Sequence, residues 1–111
     1  MKKRYVYDNV EVLNIVDGDT IDVSIDLGFD IWKKARLRLY GINAPETKGD
    51  TAEAGKASTD YLTSLIPVGT FVKIECLGQD KYGRWLAILH KDDIILNEHL
   101  IEKGYAEKYM N

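Results

Sequence analysis

Between Thr20 and Leu27 apolar and polar side chains alternate without a break, with Ile21, Val23, Ile25 and Leu27 set against Thr20, Asp22, Ser24 and Asp26. A period of two is the signature of a strand with one face on a core and the other in water. Upstream, Val6, Val10, Val12 and Ile15 mark a first strand that runs into the Asp17-Gly18 turn and forms a hairpin with the second. Residues 31–41 read as a third strand, with Leu37 and Leu39 on the face opposite Arg36, Arg38 and Tyr40, and Pro45 ends that stretch. The period then changes. Ala54, Ala57, Tyr61, Leu62 and Leu65 recur at helical spacing until Pro67-Val68-Gly69 stops the run. Residues 71–76 and 84–90 alternate again, joined by the turn Gln79-Asp80-Lys81-Tyr82-Gly83. Last comes a short helix, with Asn97 as N-cap, Leu96 and Ile101 as a hydrophobic staple, Gly104 at the left-handed C′ position and Tyr105 reaching back to Leu100.

Five strands, a helix between the third and fourth and a short C-terminal helix predict a mainly β chain folded as a five-stranded OB-fold barrel. A chain of 111 residues accommodates one domain, expected to span residues 1–111, and the pattern holds no linker, repeat or low-complexity tract. The start, Met1-Lys2-Lys3-Arg4, lacks an apolar h-region and no long uncharged span follows, so a cytoplasmic protein without membrane contact is expected, host intracellular or phage-encoded. Cys76 is the single cysteine, which excludes an internal disulfide. Its place beyond Val72 and Ile74 predicts a buried structural thiol.

Charge narrows the function. Asp and Glu outnumber Lys and Arg by 18 to 15, a net charge of -3, whereas a protein that holds nucleic acid by counterion release needs a basic face. An enzyme tolerates this balance, because a bound divalent cation inverts the local field. Three stretches carry the chemistry to match: Asp17-Gly18-Asp19-Thr20, then Arg38 through Asn43-Ala44-Pro45-Glu46, then Asp80-Lys81-Tyr82-Gly83-Arg84. Carboxylates gather a hard cation and guanidinium forks hold a phosphate, so together they point to metal-assisted attack on a phosphodiester. Taken singly each has a plainer reading: Asp-Gly-Asp is a favoured turn, Glu46 an ordinary loop acid, Arg84 a solvent-facing strand residue.

Val16-Asp-Gly-Asp-Thr-Ile21, Arg38-Leu-Tyr-Gly-Ile-Asn-Ala-Pro-Glu46, Asp80-Lys-Tyr-Gly-Arg84-Trp-Leu-Ala87, and Leu96-Asn-Glu98 with Gly104-Tyr-Ala106 occur in one order over nearly the whole chain. In these blocks the chain resembles the staphylococcal nuclease-like (thermonuclease) family. The resemblance implies a calcium-dependent nuclease that hydrolyses DNA, and by extension RNA, preferring single-stranded or unpaired regions, with no protein partner. It implies Asp19 as a direct calcium ligand with Asn43 and the backbone carbonyl of Ala44, and Asp17 in support. Glu46 becomes the general base that prepares water, and Arg38 and Arg84 grip the scissile phosphate. Lys81 and Tyr82 flank the bound nucleotide, and Tyr105 and Tyr109 are further aromatic candidates. Arg36 matches no catalytic position, and His90 and His99 are bystanders, one on a strand and one on a helix surface.

Three departures stand out. Asn43 occupies the place where the family presents an aspartate, predicting weaker or altered metal binding. The loop after Glu46 is shorter than in the best-known member, and the sequence stops at Asn111 where longer members continue into a third helix. A non-catalytic OB-fold module that binds nucleic acid or protein is the alternative. A glycosidase using the acid pairs lacks any further sugar-site signal.

Overall fold

In the computed structural model, which describes residues 4–109, the alternating segments become the staves of a barrel; Met1, Lys2, Lys3, Met110 and Asn111 lie outside it, and with them the two ends of the expected domain. Strands β1 (Tyr5–Asp17), β2 (Thr20–Asp26) and β3 (Trp32–Leu39) form a meander, followed by the two-residue β4 (Ile42–Asn43). A 3-10 turn (Gly49–Thr51) leads into helix α1 (Ala52–Leu65), after which come β5 (Phe71–Gln79), β6 (Trp85–Lys91) and the short β7 (Ile94–Ile95). Helix α2 (Leu96–Glu102) and the short β8 (Glu107–Lys108) complete the chain.

The sheet runs β3-β2-β1-β5-β6-β7, and a parallel pairing of β3 with β6 closes it, giving the expected five-stranded OB-fold barrel. Strand β1 serves both halves, pairing with β2 from Val10 onward and with β5 up to Glu11. Register shifts beyond Val12 and Ile15 let so long a strand bend around the barrel. Inward-facing Val10, Val12, Ile21, Val23, Leu37, Leu39, Ile74 and Leu89 fill the interior, and Leu62, Ile66, Leu96 and Leu100 from the helices plug its ends. Cys76 is half-buried at the edge of this core rather than enclosed by it. Among the described residues no helix is long and apolar enough to cross a membrane.

Both helices depart from the periodicity. On α1, Tyr61, Leu62 and Leu65 face inward as expected, but Ala54 and Ala57 are exposed and the buried positions of the first turns are Gly55 and Ser58. The reason is lack of room. A Cβ on Gly55 would stand 2.3 Å from the Glu46 carbonyl oxygen, and Ser58 abuts Gly18, so the helix packs there through its smallest residues.

On α2 the N-cap is Ile95, without a side-chain cap, which displaces the expected staple as well; Asn97 is buried inside the first turn. Its amide oxygen accepts the Leu89 N–H at 2.9 Å, and its nitrogen donates to the carbonyls of Tyr40 at 2.8 Å and Ala87 at 3.1 Å. It thus ties β6 to the end of β3. The other end of α2 follows the sequence. Gly104 is left-handed at φ 82°, its N–H reaches the Ile101 carbonyl at 3.0 Å, and Tyr105 N–H reaches Leu100 at 2.9 Å. Those two bonds make a Schellman motif.

Candidate active site

The β1–β2 turn is built by its own aspartates. Asp17 Oδ1 accepts the backbone N–H of Asp19 at 3.1 Å, a bond that closes the turn and fixes where Asp19 points. Gly18 is required here for space rather than for a left-handed φ. A Cβ on it would lie 2.6 Å from Ser58 Cβ and 2.8 Å from Ala44 Cβ. Helix α1 and the segment after β4 therefore press directly on the turn, and Asp19 is only 6% exposed.

Buried carboxylates need partners, and Asp19 has three. Thr20 Oγ1 donates to Oδ1 at 2.9 Å, Ala44 N–H donates to Oδ2 at 2.8 Å, and Arg38 Nη1 forms an ion pair with Oδ2 at 3.2 Å. Arg38 stands on β3 opposite Thr20, so the strand register itself brings it to the turn. It is 6% exposed, which breaks the polar-out rule of its strand, and several of its donors are engaged inside. Nη1 reaches the Leu39 and Ile42 carbonyls at 3.3 and 3.0 Å, Nη2 reaches Asn43 Oδ1 at 3.2 Å, and the Tyr109 ring lies 5.9 Å from the guanidinium carbon. Arg36, two residues away, is exposed and paired with Asp22 at 2.8 Å. Asp17 is half-buried and, among the described residues, forms no ion pair. Burial first, then the adjoining Asp19 carboxyl, push its pKa up to about 6.

Asp17, Asp19, Arg38, Asn43 and Ala44 thus meet at one end of the barrel. Glu46 is exposed just beyond Pro45, its backbone carbonyl held by Thr51 Oγ1 at 2.9 Å. It shares an open cleft of about 420 Å³ with Asn43, Ala44, Thr51, Tyr105 and Glu107.

Arg84 arrives from the β5–β6 turn. The parallel register sets Leu86 beside Arg38, and Arg84 lies two residues before Leu86, just ahead of the first residue of β6. That turn has an organiser to which the sequence reading assigned no role. Asp80 accepts from the N–H groups of Tyr82 at 2.8 Å and Arg84 at 3.0 Å, and from Arg84 Nε at 2.7 Å. Burial opposes its charge, but those hydrogen bonds hold its carboxyl below the usual range. The Tyr82 ring lies 5.3 Å from both Lys81 Nζ and the Arg84 guanidinium carbon, making one exposed cationic and aromatic surface.

The two C-terminal tyrosines part company. Tyr109 covers Arg38, whereas Tyr105 is stacked on Tyr61 with ring centroids 4.2 Å apart, at the junction of α1 and α2. Ser58 Oγ also donates to the Tyr105 carbonyl. Tyr105 is therefore a packing residue whose flank lines the cleft. His99 is no surface residue either: it is half-buried and bonded to Tyr61 Oη at 2.7 Å. His90 lies on its strand as expected, bonded to Glu75 at 2.7 Å. Asp80 and Asn97 carried a signal in retrospect, an acid four residues before the arginine and an amide within an apolar turn. Ser58 carried none.

A closed five-stranded barrel that buries Asp19 and Arg38 beside its first hairpin turn defines the class as OB-fold domains. The model of the staphylococcal nuclease homologue family matches residues 36–111, and the chain belongs to that family. An endonuclease of Escherichia coli O157:H7, itself uncharacterised, is 36% identical over 99 residues, covering 88% of this chain and 59% of the relative. A staphylococcal-like nuclease of Arabidopsis thaliana is 32% identical over 78 residues, covering 70% of this chain and 23% of that protein. The chain thus spans about three fifths of the bacterial relative's length.

Proposed function

We propose that this protein is a calcium-dependent nuclease that cleaves phosphodiester bonds of DNA and RNA, preferring unpaired strands. The observation that carries the reading is the Asp17, Asp19 and Arg38 arrangement: two carboxylates forced together in a partly buried turn, one of them holding its proton up to about 6, with a guanidinium alongside. A dication relieves that repulsion.

The donors suit a hard cation. Asp19, Asp17, the amide oxygen of Asn43 and the carbonyl of Ala44 are all oxygen, the ligand type calcium selects, and phosphate and water complete such a shell. Among the described residues no group of three or more His, Cys, Asp or Glu is placed to hold a metal, so the amide and carbonyl oxygens are needed. When bound, the cation would polarise a phosphate oxygen and neutralise charge that develops there.

The chain's own residues do the rest. Glu46 accepts a proton from a water in the cleft, whose oxygen attacks phosphorus in line with the departing 5′ oxygen. The bond to that oxygen breaks, it takes a proton from solvent, and a 3′-phosphate end remains. Arg38 and Arg84 donate to the non-bridging oxygens as charge builds. Tyr82 and Lys81 offer a stacking face and a cation to neighbouring nucleotides without base preference, and Tyr109 flanks Arg38.

The test is cleavage of single- and double-stranded DNA in calcium and in chelator, with Arg38→Ala and Glu46→Gln alongside. Metal-dependent cleavage, better on single strands, is expected, and loss of the arginine should lower turnover on the order of a hundredfold. A wild type inert in every divalent metal refutes the enzyme, and activity that survives both substitutions refutes the assignment.

A further inference from the structure

Strand β8 is two residues long, yet it decides what faces Asn43. It pairs antiparallel with β4, with Glu107 directly opposite Asn43 and Lys108 opposite buried Ile42. Residues so opposed project to the same side, with Cβ atoms about 4.5–5.5 Å apart. For Asn43 that side is the active site, because its amide oxygen accepts from Arg38 there. Tyr109, two residues beyond Glu107 and so of the same parity, confirms the direction. Its N–H bonds the Gly41 carbonyl at 2.9 Å and its ring covers Arg38. Glu107 and Asn43 are both exposed and line the same cleft as Ala44 and Glu46.

We infer that Glu107 supplies, from the opposite strand, the negative charge that Asn43 lacks, and acts as a positioning residue for the cation through bound water. The inference rests on the calcium reading above. Glu107 faces Asn43 from the opposite strand and joins the site through water rather than as a ligand in its own right. Its carboxylate instead lowers the potential of the cleft and accepts hydrogen bonds from water in the cation's shell, a role whose loss weakens metal sites 10- to 100-fold. A neutral ligand and a charged neighbour together restore the charge that one aspartate would carry. The short antiparallel register makes the exchange possible, because it places the two side chains next to each other although they are far apart in sequence.

Calcium affinity, measured by calorimetry and by displacement of luminescent terbium, tests this in four proteins: wild type, Glu107→Gln, Asn43→Asp, and the double variant. Glu107→Gln should bind at least tenfold more weakly than wild type. In the Asn43→Asp background the same change should have less than a threefold effect, because the charge is then present on β4. That unequal response is what a merely structural role would not produce. Equal affinity of Glu107→Gln and wild type overturns the inference while leaving the calcium reading intact. An equal loss in both backgrounds also overturns it, since Glu107 would then act independently of Asn43. A wild type that binds neither calcium nor terbium refutes the calcium reading and this inference together.

Discussion

Gly55→Ala sets helix propensity against packing, and the structure says which wins. Gly55 sits in the first turns of α1, where alanine is favoured by about 1 kcal/mol on propensity alone. Its backbone is helical, so no conformational penalty opposes the change. The added Cβ, however, would lie 2.3 Å from the Glu46 oxygen, 2.5 Å from its carbonyl carbon and 2.7 Å from Thr47 N. All three are backbone atoms, which cannot rotate aside. Ordinary contact starts at 3.4 Å, so the helix and the segment after Pro45 must separate by about 1 Å. Overpacking of this kind costs about 1–3 kcal/mol, and three backbone contacts this short put Gly55 toward the upper part of that range, above the propensity gain. The segment that moves carries Glu46, the proposed base, and a 1 Å displacement of such a group can lower turnover about 100-fold. Thermal melts in chelator should show a net loss of up to about 2 kcal/mol, the overpacking cost less the propensity gain. Steady-state kinetics should show kcat falling far more than KM rises, and calcium affinity should change little because Asp19 is held elsewhere. A variant that melts higher with unchanged kcat would refute the claim that Gly55 sets the position of Glu46.

Three further outcomes are expected. Asp17→Asn should stabilise the calcium-free protein: the folded pKa of about 6 exceeds the ordinary 3.8, so the carboxyl's contribution is fully present below pH 4 and is lost as pH rises through 6. In chelator the variant should melt above wild type at pH 7.5 and level with it at pH 4, and the reverse ordering refutes the reading. Asn97→Leu removes the partners of the Leu89 N–H and the Tyr40 carbonyl, while Ala87 keeps its bond from the Tyr40 N–H, and should cost about 2–3 kcal/mol in urea unfolding; a smaller loss means these groups find other partners. Phe29, 96% exposed and left-handed at φ 55°, occupies a conformation that asparagine tolerates better. Phe29→Asn should therefore raise stability by about 0.5–1 kcal/mol without altering cleavage, and a lower melting temperature would count against the strain.

The barrel was legible because its strands are half-buried. Where one face meets a core and the other water, as along β2, alternation is imposed residue by residue and can be read directly. The helix faces were less legible. Hydrophobic counting favours Ala54 and Ala57, but α1 docks through Gly55 and Ser58 because close approach to Gly18 and Glu46 selects for smallness, not greasiness. Asn97 has a capping residue's chemistry, yet it is buried in the first turn, where it bonds two backbone groups of β6 and the Tyr40 carbonyl just past β3.

The sequence by itself determined which residue types are present and how the strands alternate, because both are local properties. It also displayed most of the site residues in blocks specific enough to signal the family, whereas Glu107 and Tyr109 fall outside them. Only the tertiary structure decided which of them meet. Register carries Arg38 to Thr20 and so to Asp19, parallel closure sets Leu86 beside Arg38, and a two-residue strand sets Glu107 opposite Asn43. It also turned Tyr105 and His99 inward and left Tyr109 over Arg38. Those outcomes depend on distances between segments remote in the chain, and no local pattern encodes them.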